Sequence, residues 1–170
     1  MENRPDKELV DAIRGGDTAA YATLVRRHSA HIFAVCLGIL GNVGDSEDLA
    51  QETLVKAFNK IDSLRDRQQF SAWVTQIARN LCRDFLRSRK LHRQLLDENR
   101  ERLTATPADY PALREALASL PEVHRLPLML YYFDGHRTDS IAQALHLSRA
   151  GACTRLCRAR KALRERLEEQ

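Results

Sequence analysis

Three stretches of the chain carry side chains whose types and spacing could do chemistry, and in each the chemistry is binding. The first is DSEDLAQETLVKAF, residues 45–58, where Asp45, Glu47, Asp48 and Glu52 fall within eight positions. The second runs from Arg79 to Arg93 and holds six Arg or Lys residues against one acid, Asp84. The third runs from Arg149 to Arg166, with seven basic residues against one acid, Glu165. Arginine offers phosphate a planar fork of donors, and Asn or Gln can pair with base edges. Carboxylates and amides set among exposed aliphatics suit a protein partner rich in arginine. The cysteines and histidines offer less. Cys153 and Cys157 stand at i, i+4, and His28, His31 and Cys36 share another stretch. Two thiols do not complete a tetrahedral metal site, so core or incidental placement is expected and neither metal nor cofactor is assigned. No Ser/His/Asp order, P-loop or HExxH appears, and the chain is not read as an enzyme.

Proline and glycine divide the chain into helical patterns that must position these groups. Asp6–Arg14 reads as a short helix ended by Gly15-Gly16. Asp17 is placed to cap a second, which runs to about Leu40 and stops at Gly41-Asn42. Asp45 is placed to cap a third, through about Ile61, and a fourth spans Phe70 to about Leu91. Residues 92–109 mix charge without an apolar stripe and end between Pro107 and Pro111, so they read as a flexible linker. Helical spacing returns in Pro111–Leu120, Pro121–Phe133, Thr138–Leu145 and Arg149–Leu167. Pro127 is expected to kink its helix or mark its first turn. No strand or internal repeat is found. The expected fold is all-α: two small helical domains, residues 1–91 and 110–170, on either side of the linker.

Projection at about 100° per residue sets the faces. In the third helix, Ala50, Leu54, Ala57, Phe58 and Ile61 form the expected buried arc. Asp48, Glu52, Lys56 and Asn59 lie opposite, with Leu49 and Val55 flanking them as exposed aliphatics. Asp45, Glu47 and Asp48 also suit a helix N-terminus, but Glu52 lies beyond that first turn. In the fourth helix Phe70, Val74, Ile77, Ala78, Leu81 and Phe85 point inward, and Gln76, Arg79, Asn80, Arg83, Arg87 and Lys90 share the other side. Trp73 sits at the border, a place more typical of core than of a base-stacking platform. In the last helix Ala152, Leu156, Ala159, Leu163 and Leu167 make the apolar stripe. TDSIAQALHLSRAGACTRL has the spacing of a short helix, a tight turn at 146–148 and a longer helix free to enter a major groove.

The totals agree with this reading. The chain has 170 residues, 44% hydrophobic and only 6% aromatic, rich in strong helix formers. A net charge of +4 says little about nucleic acid, and its distribution says more. The longest uncharged apolar run, residues 32–41, is too short to span a bilayer, and no signal peptide opens the chain. A cytoplasmic protein with four free thiols is expected, without membrane insertion.

Taken together, these segments resemble the extracytoplasmic-function group of bacterial RNA polymerase sigma factors. DSEDLAQETLVKAF is similar to their core-binding motif in region two, and FSAWVTQIARNLCRDFLRSRK to the helix that melts and reads the minus-ten element. LPEVHRLPLMLYYFDGHRTDSIAQALHLSRAGACTRLCRARKAL resembles region four, the reader of the minus-thirty-five element. The resemblance implies that Asp48, Leu49, Gln51, Glu52 and Val55 meet the clamp helices of the polymerase β′ subunit. It implies that Gln76, Arg79, Asn80, Arg83 and Arg87 hold the minus-ten strand, with residues 62–69 capturing an extruded base. It places Arg149, Thr154, Arg155 and Arg158 on minus-thirty-five DNA, region four on the β flap, and an anti-sigma protein across both domains. Three departures fall on region four: His146 where the family turn usually has glycine, Ala150-Gly151-Ala152 in place of Gly-Thr-Val, and Cys153 where a polar or basic residue is common. The alternative, a stand-alone helix-turn-helix regulator, would bind duplex DNA tightly by itself and leaves the acidic helix without a role.

Overall fold

The computed structural model describes residues 4–96, 111–133, 135 and 137–168, with only the backbone described for 92–96 and Ser140. Among them are eight helices: α1 (Asp6–Arg14), α2 (Ala19–Leu40), α3 (Val43–Asn59), α4 (Phe70–Leu96), α5 (Pro111–Ser119), α6 (Glu122–Phe133), α7 (Thr138–Leu145) and α8 (Arg149–Glu168). Short 3-10 turns at Ile61–Ser63 and Arg67–Gln69 lead from α3 to α4. No strand occurs among the described residues. Helix α4 runs on to Leu96, into the first five residues of the expected linker. From residue 97 to 109 that linker lies outside the described residues.

Local chemistry sets the helix ends. Helix α2 stops at Gly41, whose φ of 72° carries the left-handed turn that glycine enters without a Cβ clash. The cap of α3 is Asn42 and not Asp45: its side-chain oxygen accepts the Asp45 N–H at 3.0 Å, so the helix starts three residues earlier than expected. Asp45, now inside the first turn, pairs with Arg89 of α4 at 3.0 Å. Pro127 lies in the interior of α6 and is fully buried, so the first-turn reading is overturned.

The core is built around α2, which buries Leu24, Ile32, Val35, Cys36 and Ile39. Leu9, Val10 and Ile13 of α1 and Phe70, Val74, Ala78 and Cys82 of α4 join it. His28 and His31 are buried as expected of core histidines, His28 on the Asp6 carboxylate at 2.8 Å and His31 on the Thr75 hydroxyl at 2.8 Å. Burial raises the pKa of Asp6. The hydrogen bonds and charges of His28 and Arg27 outweigh that, and hold its carboxyl below its ordinary value.

The two halves share this core. Helix α6 packs closely against α2, and Leu126, Leu128, Met129 and Leu130 belong to the same buried cluster as the α2 residues. Gly38 permits the approach: a Cβ there would lie 2.5 Å from Leu126 Cδ1 and 2.7 Å from its Cα. Beside it Arg125, 8% exposed, donates to Gly38 O at 3.1 Å and Ile39 O at 2.9 Å on α2. The same guanidinium donates to Ala118 O at 3.1 Å and Leu120 O at 2.7 Å at the end of α5. It thereby satisfies last-turn carbonyls that a helix cannot satisfy itself.

Candidate functional site

Helix α3 turns its acidic side outward. Asp48, Gln51, Glu52 and Val55 are all exposed, Val55 at 62%. At about 100° per residue they fall in one arc about 100° wide. Leu49 does not join them: it is 8% exposed and part of the core. Phe58, expected inside, is 36% exposed and packs on Tyr21 with ring centroids 4.9 Å apart. Both corrections have one cause. The buried stripe includes Ser46 and Thr53, whose hydroxyls donate to the Asn42 and Leu49 carbonyls of their own helix. A hydroxyl satisfied by back-bonding can be buried, so a projection of apolar residues alone places the core too far round the helix. Among the described residues Glu52 makes only an exposed i, i+4 pair with Lys56 at 3.4 Å, which leaves it available to a partner.

On α4 the polar face is exposed along its length. Gln76, Asn80, Arg83 and Arg87 lie within about 60° of one another. The Gln76 amide donates to the Asn80 side-chain oxygen at 2.8 Å, so the two amides form one preorganised edge. Among the described residues Arg87 has only a long pair with Asp84 at 3.7 Å. Trp73 is half-buried against Phe70, 5.9 Å between ring centroids. The loop before α4 is held by a residue that sequence reasoning missed: Arg14 of α1 donates to Ile61 O at 2.8 Å, Asp62 O at 3.1 Å and Leu64 O at 2.6 Å. Leu64 anchors the loop in the core, while residues 65–69 are exposed. An arginine at a helix C-terminus next to two glycines was the available signal, but nothing in the sequence paired it with residues 61–64.

Arg79 is placed differently. It is half-buried, and its guanidinium donates to Ala144 O in the last turn of α7 at 2.5 Å. Burial and the neighbouring Arg83 charge lower its pKa from the ordinary value, partly opposed by Glu122. Arg155 of α8 is half-buried too, and lines with Arg79, Glu122, Val123, Leu126, Pro127 and Leu145 an open cleft of about 290 Å³. One arginine from each expected DNA-reading helix therefore meets at the junction of the halves.

The turn before α8 forms as its spacing predicts, with His146 itself adopting φ 53° and ψ 45°. The Leu147 N–H reaches Ala142 O at 2.8 Å and the His146 N–H reaches Gln143 O at 3.4 Å, a paired cap on α7 that offsets the cost of a left-handed non-glycine residue. Ser148 Oγ accepts the Gly151 N–H at 3.1 Å and caps α8. Arg149, Thr154 and Arg158 are exposed, while Ala152, Leu156 and Ala159 are buried under α6 and α7. The apolar stripe fades beyond them, and Leu167 is exposed. All four cysteines are unbridged, Cys36 and Cys82 buried as core thiols. Cys153 and Cys157 are exposed, so a core role for that pair is overturned. Among the described residues no helix is long and apolar enough to cross a membrane.

Comparison with known proteins places these surfaces in a family context. Residues 24–92 match the family described as sigma-70 region 2, and residues 110–163 the one described as sigma-70, region 4. The ECF RNA polymerase sigma factor SigW of Bacillus subtilis (strain 168) is 30% identical, over 96% of this chain and 97% of its own length. RfaY of Xanthomonas campestris pv. campestris is 35% identical over 89% of this chain, which spans 41% of RfaY. Among solved structures, the sigma factor RpoE from Bartonella quintana, crystallised with the anti-sigma factor NepR, superposes with a TM-score of 0.68 at 25% identity, covering 87% of this chain and 96% of RpoE.

Proposed function

The chain belongs to the extracytoplasmic-function (ECF) sigma factors of RNA polymerase, and from that premise we propose how its surfaces divide the work of starting transcription. The protein binds core RNA polymerase and directs it to specific promoters, without catalysis of its own and in the cytoplasm, where polymerase and chromosome meet. The exposed arc of Asp48, Gln51, Glu52 and Val55 docks on the β′ clamp helices, with Leu49 supporting it from below. Carboxylates and an amide around one exposed valine match a basic partner helix in both charge and apolar contact. The single observation that carries the division of labour is that this acidic arc and the basic arc of α4 are both exposed yet lie on different helices.

At the minus-ten element, Arg83 and Arg87 take phosphates of the opened strand while the paired amides of Gln76 and Asn80 face base edges. The exposed residues 65–69, pinned through Arg14, bracket an extruded base; unstacking one costs a few kcal/mol, offset by pocket contacts. Region four reads the minus-thirty-five element through Arg149, Thr154 and Arg158 and docks on the β flap. Arg79 and Arg155 join their DNA faces only when the halves part, because Arg79 is bonded across the junction and Arg155 lines the cleft there. The closed chain therefore binds promoter DNA weakly by itself, and docking on polymerase supplies the free energy for opening. An anti-sigma protein that spans both halves, as NepR is partner to RpoE, would act by favouring closure.

Run-off transcription with purified core polymerase on a random promoter library tests this reading. The expected result is a set of start sites that appear only with this chain present and share a pair of upstream elements. Absence of any dependent start site overturns it. Tight duplex binding by the isolated chain, at affinity unchanged by core polymerase, would instead identify a stand-alone regulator.

A further inference from the structure

The recognition helix carries two thiols that the polymerase reading does not use. Cys153 and Cys157 are both exposed and one turn apart on α8. They open onto a cleft of about 490 Å³ whose other walls are Tyr131, Thr138 and Leu156 and whose rim is Arg160, Lys161 and Arg164. Arg160 is held over the Tyr131 ring at 4.5 Å, which fixes one cation at the edge of the cleft.

Helical geometry decides what such a pair can take. Side chains at i, i+4 have Cβ atoms about 5–6 Å apart, beyond the roughly 3.5–4.5 Å that a disulfide needs. The two thiols therefore do not bridge each other without unwinding the helix. A metal bonded to two thiolates at about 2.3 Å each separates the sulfurs by about 4.6 Å when the bonds are collinear, a span the pair can make. Zinc requires about four ligands, and among the described residues no group of three His, Cys, Asp or Glu side chains could hold a metal ion. Charge narrows the choice further. Two thiolates with a monovalent ion form a complex of net charge −1, which suits a rim of three cations, whereas a divalent ion would leave a neutral one. Thiolate is also the ligand class that selects soft ions such as Cu(I).

We propose that Cys153 and Cys157 form a two-coordinate site for a soft monovalent metal ion of the Cu(I) class, built into the surface that faces the minus-thirty-five element. Loading exchanges two S–H protons, released to solvent, for two metal–sulfur bonds, with no change of oxidation state. The ion sits beside Thr154 and Arg158 and adds one negative charge where phosphate approaches, so a loaded chain reads the element poorly. That consequence, but not the site, rests on the reading of α8 given above.

Ag(I), a redox-inert probe of the same class, would be titrated anaerobically into the reduced full-length chain against a competing chelator, with stoichiometry read by native mass spectrometry. One ion per chain is expected. Affinity should fall about a hundredfold in C153S and in C157S alike, because each removes one arm of a chelate. The double variant reports any uptake by the buried Cys36 and Cys82, and far-ultraviolet circular dichroism checks that the helices persist. Equal affinity in either single variant overturns the site, as does Zn(II) held as tightly as Ag(I). A second arm measures duplex binding by the holoenzyme assembled with core polymerase, by fluorescence anisotropy, using a minus-thirty-five sequence recovered from the promoter library. Affinity for the duplex should drop about tenfold on loading, and the double variant should be indifferent to the ion. Chelation by both sulfurs with unchanged duplex affinity overturns the coupling alone. A holoenzyme that ignores the minus-thirty-five sequence whether loaded or empty overturns the reading of α8 and leaves the site standing.

Discussion

Arg125 is a buried cation whose hydrogen-bond acceptors are four helix-end carbonyls. Burial lowers its pKa from the ordinary value, with Glu122 partly opposing, yet a guanidinium stays charged at any ordinary pH. Replacing it with alanine orphans several buried carbonyls at once. Arg125→Ala should cost about 3 kcal/mol of stability, read as a lower denaturant midpoint, with Arg125→Lys recovering only part of it because lysine lacks the planar fork. Asp6 gives a prediction in pH. Its folded pKa lies below the ordinary value of 3.8, so its contribution is present above that value and is lost as pH falls through the folded one. Melting temperatures of Asp6→Asn should therefore lie below wild type near neutrality, and the two curves should converge in strong acid. His146 shows what single positions do not reveal in sequence. It stands where the family turn usually has glycine, yet it takes the left-handed geometry itself and the paired cap forms around it.

At the scale of helices, most of the architecture was legible because proline, glycine and apolar spacing agree with one another. Helices α1 and α7 have the bounds their spacing predicts, and the inward stripe of α4 is buried at Phe70, Val74, Ala78 and Leu81. Failures came where small polar residues replaced apolar ones in the core. Ser46 and Thr53 are invisible to a hydrophobic projection, and that alone moved Leu49 inside and Phe58 out. The end of α4 was missed because helices stop where caps or partners stop them, and residues 92–96 contain neither glycine nor proline. The acidic arc of α3 carries the prediction at this scale. Asp48→Lys combined with Glu52→Lys places like charge against a basic partner. It should lower affinity for core polymerase by about a hundredfold, several kcal/mol of repulsion being typical of mismatched charges. Both residues are exposed, so the melting temperature should stay close to wild type. Co-elution with core polymerase on size-exclusion chromatography, beside a thermal melt, checks both halves of the claim.

For the whole molecule, the arrangement of the halves was the part that sequence could not supply. Two domains and a tether describe the pattern of residues, but Gly38 against Leu126 and Arg79 against Ala144 are contacts between segments with no shared motif. The hydrogen bonds at this junction, from Arg79 to Ala144 O and from Arg125 to Gly38 O and Ile39 O, run from guanidinium to carbonyl and carry no titrating acid. Gly38→Val should drive α6 off α2, because a Cβ there meets the Leu126 backbone at 2.7 Å. The expected outcome is a loss of about 1–3 kcal/mol, a larger radius of gyration by small-angle X-ray scattering, and tighter binding of the free chain to promoter DNA. An unchanged radius would show that the halves do not part at this crossing.

The bonds from Arg125 to α2 have a consequence for birth on the ribosome. The guanidinium lies 86 residues downstream of the Ile39 carbonyl it satisfies. At about 5–20 residues per second, roughly 4 to 17 seconds pass between the synthesis of one and the other. During that interval the Gly38 and Ile39 carbonyls are left to water, and α2 has α1, α3 and α4 to pack against but not yet α6. Newly made chains thus pass through an unlatched stage that finished ones revisit only by breaking those bonds, and a polymerase or an inhibitor that captures them during translation would meet Arg79 before Ala144 exists.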